Sequence, residues 1–101
     1  MGINVVWQDE SGAPLARCDA IYDERLGRAV APERSHCLQY IGPTDDATFN
    51  QAQLPRLVRE LEEVASGLGH LPESRQRQFR TVLEFVRGCV GVHTYVRFVG
   101  D

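Results

Sequence analysis

The sequence predicts an α+β fold, a small antiparallel or mixed sheet of about four strands with a two-helix hairpin packed on one face. Two stretches with helical spacing of apolar residues, FNQAQLPRLVRELEEVASG and PESRQRQFRTVLEFVRGCV, are joined by a short Gly/Pro loop. Segments with period-two alternation precede and follow this pair. Strands grouped on either side of the helices favour α+β over alternating α/β, and residues 1–101 are assigned to one domain.

The amino-terminal segment predicts a β-hairpin. The run INVVW, from Ile3 to Trp7, is rich in β-branched and aromatic residues, and Asp9 to Gly12 form a turn cluster. Leu15 to Cys18 can then return antiparallel to the first strand. One face of the first strand carries Ile3, Val5 and Trp7, and the other carries Asn4, Val6 and Gln8.

Two more strands are predicted, one before the helices and one after them. HCLQYI, from His36 to Ile41, has strand-forming residues and is stopped by Gly42 and Pro43. After Gly91 the apolar period changes to two. The inward face of this last strand is expected to carry Val92, Thr94, Val96 and Phe98. Between the hairpin and His36 the period is unclear, but one short helical turn can form through Ile21, Tyr22, Leu26 and Val30.

The first long helix is predicted to start between Gln51 and Leu54. Asn50 and Gln53 have the spacing of a capping box, and Pro55 is tolerated in a first turn, where N–H groups have no helical partner. Its apolar stripe is Leu54, Leu57, Val58, Leu61, Val64 and Ala65. The opposite side carries the i,i+4 pairs Arg56 with Glu60 and Arg59 with Glu63, and is expected to be solvated.

Gly67 and Gly69 are expected to end the first helix in left-handed conformations. The second long helix is then predicted to start at Pro72, since proline suits the first helical position. Its apolar stripe is Phe79, Val82, Leu83, Val86, Cys89 and Val90. Both stripes are expected to pack against the sheet.

Composition narrows the class of protein. The chain is 43% hydrophobic and 25% charged, and no apolar run approaches the roughly 20 residues of a bilayer span. The start MGINVVWQDE has none of the regions of a secretory signal, so a cytoplasmic location is expected. The three cysteines, Cys18, Cys37 and Cys89, lack CxxC spacing and are expected to be free and mostly buried thiols.

The side chains that could catalyse a reaction or bind a metal do not have the spacing of a known catalytic or metal-binding motif. His36, Cys37, Cys89 and His93 are metal-ligand types, but neighbours in a strand point to opposite faces. Asp45, Asp46 and Asn50 lack the spacing of a calcium loop, and turn formation explains them better. The chain has no GxSxG, P-loop or dinucleotide fingerprint. We therefore expect no cofactor, no metal and no enzyme activity, with a small-molecule enzyme as the third hypothesis.

Two surfaces remain as candidate binding sites. The far face of the sheet, away from the helices, combines tyrosine and arginine on an apolar ground, as protein interfaces do. Its predicted partner-binding residues are Val6, Tyr40, His93, Tyr95 and Arg97. The leading hypothesis is thus a non-enzymatic protein-binding module, acting on a partner protein or on a second copy.

The alternative surface is the polar side of the second helix. Arg77, Arg80 and Arg87 share that side, and would bind nucleic acid or an acidic partner. Glu84 lies among them, and the formal net charge of −3 disfavours a nucleic-acid-binding domain.

Two short motifs resemble a family of small uncharacterised bacterial single-domain proteins. The motifs are YIxP followed by FNxxQ, and YxxFxGD at the carboxy terminus. The matching positions are Tyr40, Ile41, Phe49, Asn50, Gln53, Tyr95, Phe98, Gly100 and Asp101. The resemblance implies a bacterial cytoplasmic protein and brings no activity with it. By analogy, small bacterial domains without catalytic residues often act as immunity proteins or regulators.

Overall fold

A four-stranded antiparallel sheet forms one layer of the molecule. In the computed structural model, which describes residues 2–27, 35–42, 44 and 46–100, the strand order is β2-β1-β4-β3. The strands are β1 (Asn4–Asp9), β2 (Pro14–Arg17), β3 (Ala47–Asn50) and β4 (Thr94–Val99). The two longest strands, β1 and β4, pair along their full length at the centre.

The helices form the second layer. They are α1 (Glu24–Gly27), α2 (Leu54–Ser66) and α3 (Glu73–Arg87), with a 3-10 helix at Leu38–Tyr40. Their apolar stripes and the inward residues of β1, β3 and β4 belong to one buried core cluster. The α+β fold predicted from the sequence is therefore confirmed. Within the described residues no helix is both long and apolar enough to cross a bilayer.

Phe98 joins the two layers at the centre of the core. It is fully buried, and its ring meets Tyr22 edge-on at a centroid distance of 5.2 Å and Phe49 at 5.8 Å. Tyr22 in turn contacts Phe79 of α3 at 6.0 Å. Edge-to-face aromatic contacts add about 0.5–1.5 kcal/mol to the free energy gained from burial. The aromatic chain thus connects β3 and β4 to α3.

The junction between β3 and α2 has the capping-box geometry that the sequence predicts. The Asn50 N–H donates to Gln53 Oε1 at 2.9 Å, and the Gln53 N–H donates to Asn50 Oδ1 at 3.0 Å. Between them, the Gln51 amide donates to the Cys89 carbonyl and to Thr94 Oγ1. One turn therefore starts α2 at Leu54 and also ties it to the segment that leads into β4.

Glu60 is the main polar group inside the molecule. Its carboxylate is 2% exposed and accepts the backbone N–H groups of residues 36–38 at 2.8–3.1 Å. The hydroxyl of Ser35 donates to it at 3.3 Å, and Arg56 Nε donates from the preceding turn of α2 at 3.0 Å. The expectation that Glu60 lies on a solvated helix face is wrong, because the carboxylate is needed to cap the 3-10 helix.

The predicted strand at His36–Ile41 is also wrong. The N–H groups of residues 36–38 bond to the Glu60 carboxylate, so they are not available for a sheet ladder, and the segment ends in the 3-10 helix. Leu38 and Ile41 are nevertheless buried in the core. The strand beside β4 is instead β3, in which Ala47 and Phe49 face inward and Thr48 and Asn50 are exposed.

The ends of the second helix and of the last strand also differ from prediction. Val90 and Val92 were expected in the core, but they are 72% and 83% exposed, because α3 ends at Arg87 and β4 begins only at Thr94. Gly67 does end α2, although with φ of −102° rather than a left-handed angle. A short helical turn is found as α1, which contains Leu26. The expected members Ile21 and Tyr22 precede it, and Tyr22 instead forms a β-bridge with Ile3, while Val30 lies outside the described residues.

Tyr22 brings a buried hydroxyl into the core. Its backbone pairs with Ile3, and within the part of the chain that the structure describes the hydroxyl has no hydrogen-bond partner. A Cβ atom at Gly27 would collide with that hydroxyl oxygen. The absence of a side chain at Gly27 is thus what makes room for Tyr22.

Replacement of Glu60 by glutamine should destabilise the fold by about 2–4 kcal/mol, because the amide keeps one acceptor oxygen and turns two donors toward N–H groups. Urea unfolding at neutral pH measures the change. Glu63→Gln is the matched control on an exposed position of the same helix, and should stay within about 0.5 kcal/mol of wild type. Equal stabilities of the two variants would contradict the role given to Glu60.

The same pair of proteins should differ in pH dependence. Burial raises the pKa of Glu60, but the N–H groups of Leu38, His36 and Cys37 and the Arg56 guanidinium outweigh it, so the pKa is lowered below its usual value. The ionised carboxylate therefore contributes its full stabilisation above the unfolded pKa of about 4.3, and loses it as the pH falls through the lower folded value. Unfolding curves from neutral to acid pH should show the gap between wild type and Glu60→Gln closing in acid.

Tyr22→Phe should leave stability unchanged or raise it by up to about 1 kcal/mol, since it removes a buried donor without an acceptor. Gly27→Ala should cost about 1–3 kcal/mol through overpacking. In the Tyr22→Phe background the cost should fall, because the nearest atom becomes ring Cζ at 3.2 Å. A double-mutant cycle by thermal unfolding checks this, and additive effects would contradict the contact.

Candidate functional site

Within the described part of the chain, the face of the sheet opposite the helices is open. Residues of β1 and β4 alternate between the core and this face, and Val5, Val96 and Phe98 take the core positions. Val6 and Tyr95 lie outside the core cluster, on the opposite side. No described helix packs on that side, since the core stripes of α2 and α3 belong to the other layer.

One row of outward residues crosses all four strands. Val6 of β1 is directly opposite both Arg17 of β2 and Arg97 of β4. Thr48 of β3 lies opposite Arg97 at the end of the row. Because neighbouring strands are about 4.8 Å apart, the Cα atoms of the two arginines are separated by about 10 Å. Val6 is only 7% exposed although none of the described helices covers it, which fits coverage by the side chains beside it.

Arg17 was missed in the sequence interpretation. A bulge between Trp7 and Gln8 makes Ala16 and Pro14 successive partners and leaves Leu15 unmatched. Without that register, strand alternation alone does not say which residue of β2 lies beside Val6. The structure shows that it is the arginine, and no described residue makes an ion pair or hydrogen bond with its guanidinium.

Arg97 is partly neutralised. Its guanidinium donates to Asp46 Oδ2, with Nε at 3.0 Å, and both side chains are more than a third exposed. An exposed ion pair of this kind contributes about 0–1 kcal/mol to stability, so another carboxylate can replace Asp46 beside Arg97 at little energetic cost. Asp46, one of the acidic residues considered for a cation site, therefore has a guanidinium partner, and Asp45 lies outside the described residues.

Tyr95 lies in the next row of the face. Its cross-strand neighbours are Gln8 of β1 and Asn50 of β3, and its side chain is half-buried. Two positions along the same strand separate it from Arg97, so both project from one side. Their neighbourhood combines an aromatic ring, a guanidinium and two amides.

His93 and Tyr40 are not strand residues. His93 precedes β4 in a left-handed conformation with φ of 60°, is exposed, and places Nδ1 3.9 Å from Glu10 Oε2. Tyr40 is 66% exposed on the 3-10 helix, an element held to α2 by Glu60. The structure therefore brings together Val6, Tyr95 and Arg97 in the sheet, with His93 at its margin and Tyr40 on a separate element.

The arginines of α3 already have neighbours on the polar side of the helix. Arg77 pairs with Glu73 at 3.3 Å, and Arg80 donates to the Gln76 amide oxygen at 3.2 Å. Arg87 contacts both Glu62 and Glu84. Exposed pairs contribute little to stability, but they reduce the positive potential of this surface.

The thiols are held in the protonated form. Burial raises the pKa of Cys18, burial followed by the charge of Glu60 raises that of Cys37 to about 11, and burial followed by Cys18 raises that of Cys89 to about 12. All three are free, and a protonated thiol is a weak nucleophile. Among the residues described by the structure, no three His, Cys, Asp or Glu side chains are grouped as a metal site would require.

Comparison of this chain with models of protein families, with curated proteins and with solved structures gives no match. The resemblance based on the YIxP, FNxxQ and YxxFxGD motifs therefore stays a prediction.

Proposed function

We propose that this protein is a non-enzymatic protein-binding module, and that its open sheet face docks an acidic segment of a partner protein. The observation that carries the proposal is the row in which Arg17 and Arg97 lie on either side of Val6. The only charged residues at outward positions of the paired strands are these two arginines, although the whole chain has a formal net charge of −3. Charge complementarity therefore favours carboxylates on the partner.

The shape of the face supports a peptide or loop as the occupant. The Cα atoms of the two arginines are about 10 Å apart, and alternate residues on one side of an extended segment are about 6.8 Å apart. The long arginine side chains can span this difference and reach carboxylates on alternate residues. Tyr95 offers a ring beside them, and tyrosine and arginine are typical of interface hot spots.

A second copy of this chain is a poorer occupant. In a two-fold dimer through this face the same patch would meet itself, and the arginines of one copy would approach those of the other. A regulatory or immunity-like protein of the cytoplasm is the role that we attach to this interaction. This role combines two predictions made from the sequence, the cytoplasmic location and the analogy with small bacterial regulators and immunity proteins.

The test is binding of a fluorescent glutamate-rich peptide to the intact protein, followed by anisotropy at low and moderate salt. The double variant Arg17→Gln/Arg97→Gln should weaken binding about tenfold or more, the equivalent of at least 1.4 kcal/mol, through loss of two charge-assisted contacts. Tyr95→Asp should weaken it as well, with circular dichroism unchanged.

Arg77→Gln/Arg80→Gln is the matched control, because it removes the same charge from the exposed side of α3. This control should bind the peptide as wild type does. Equal weakening by both double variants would overturn the proposal, since it would indicate only a diffuse charge effect. Absence of peptide binding would do so too.

Two further measurements address other occupants. A single-stranded oligonucleotide should give no gel shift at low salt; a shift lost in Arg77→Gln/Arg80→Gln would instead support the nucleic-acid alternative that includes Arg87. Sedimentation should give a monomer, and a dimer dissociated by Tyr95→Asp would replace the acidic partner with a second copy.

A further inference from the structure

A second candidate site lies in the helical layer, away from the open sheet face. A cavity of about 180 Å³ lies between the segment that contains Tyr22 and α1 and the first half of α3. Its polar lining consists of Asp23, Arg25, Arg75 and Gln78. Its apolar lining includes Leu26 and the buried ring of Phe79. The cavity therefore offers charge on one side and hydrocarbon on the other.

The acid in the lining is already saturated by donors. Asp23 accepts the Arg25 backbone N–H at 3.0 Å and two nitrogens of the Arg25 guanidinium, Nε at 3.3 Å and Nη2 at 3.5 Å. It also accepts an Arg75 guanidinium nitrogen at 2.8 Å. Burial raises the pKa of Asp23, but the Arg75 and Arg25 hydrogen bonds outweigh it and lower the pKa overall. Asp23 is thus ionised at neutral pH, and the lining has one positive charge in excess.

The arginines retain donors that Asp23 does not use. Arg75 contacts Asp23 through one terminal nitrogen, and no other described residue accepts from its guanidinium. The Gln78 side-chain nitrogen donates to the Ile21 carbonyl at 2.9 Å, which leaves the amide oxygen as an acceptor at the cavity wall. Guanidinium N–H groups in this arrangement suit a carboxylate, which accepts two parallel hydrogen bonds.

The volume limits the size of the ligand. Because a water molecule takes about 30 Å³ of liquid, the cavity has room for roughly six small heavy atoms. One excess positive charge matches a monoanion, and the wall formed by Leu26 and Phe79 matches a short hydrocarbon tail. We propose that this cavity binds a small monocarboxylate, with its carboxylate on Arg75 and Arg25 and its aliphatic tail against Leu26 and Phe79.

The proposal is tested by titration of the ¹⁵N-labelled chain with sodium butyrate, followed by amide chemical shifts. Saturable shifts should be confined to residues 21–26 and 75–79. Acetate should bind more weakly, because its tail is shorter, and n-butanol should not produce these shifts, because it lacks the charge. Inorganic phosphate should also bind more weakly than butyrate. Shifts that do not saturate, or equal shifts with phosphate, would overturn the proposal.

Two variants connect the shifts to the cavity. Arg75→Gln should weaken butyrate binding about tenfold or more, whereas Arg80→Gln, on an exposed position of the same helix, should not change it. If Arg75→Gln does not fold, Gln78→Phe fills the cavity without a change in charge and should abolish the saturable shifts. Unchanged binding in the variant that folds would refute the site.

A free carboxylate can come from a small metabolite or from the end of a peptide chain. A short peptide with an aliphatic carboxy-terminal residue distinguishes the two sources when it is compared with its amidated form. Binding by butyrate alone assigns the cavity to free small acids. Tighter binding by the free-acid peptide assigns the same carboxylate chemistry to a chain terminus, and binding by the amidated form would contradict the role of the charge.

Discussion

The structure depends on one buried carboxylate. Glu60 projects from α2 and collects the N–H groups of His36, Cys37 and Leu38, so that the segment before the sheet's third strand is fixed to the helical layer. Removal of a carboxylate from water is costly, and the cost is offset here by several donors at 2.8–3.3 Å together with Arg56. Leu38 and Ile41 can then enter the core without strand pairing.

That constraint explains the main difference between the predicted and the observed fold. The sequence interpretation finds the two long helices, the first hairpin and the last strand, because each has a period that is set by its own neighbours. The strand at His36–Ile41 is predicted from residue type alone. Residue type gives no sign that the Glu60 carboxylate, more than twenty positions away, accepts hydrogen bonds from the backbone of this segment. Because that segment does not form a strand, the position beside β4 in the sheet is occupied by Ala47–Asn50.

The candidate site was predictable only in part, for the same physical reason. Tyr95 and Arg97 follow from alternation along β4, and Val6 follows from alternation along β1. Arg17 depends on a bulge in β2, and the position of Tyr40 depends on the Glu60 anchor, so both are set by contacts between elements. The burial of Glu60 was not predictable from the sequence, because Glu60 lies four residues after Arg56 and an Arg/Glu pair at this spacing is the usual pattern of an exposed helix face.

The separation of the outer face from the core makes that face suitable for changing contacts. Val5 and Phe98 lie on one side of the paired strands and Val6 and Arg97 on the other, so a change in an outward side chain leaves the aromatic packing around Phe98 in place. The cavity beside Arg75 is different, because its wall includes Phe79, which also packs against Tyr22 in the core. A ligand in the cavity and a partner on the sheet face would both bind the native state, so each would add to the stability of the whole fold. They differ in that the cavity ligand would contact Phe79 of the core, whereas the partner would contact residues outside the core cluster, such as Arg97.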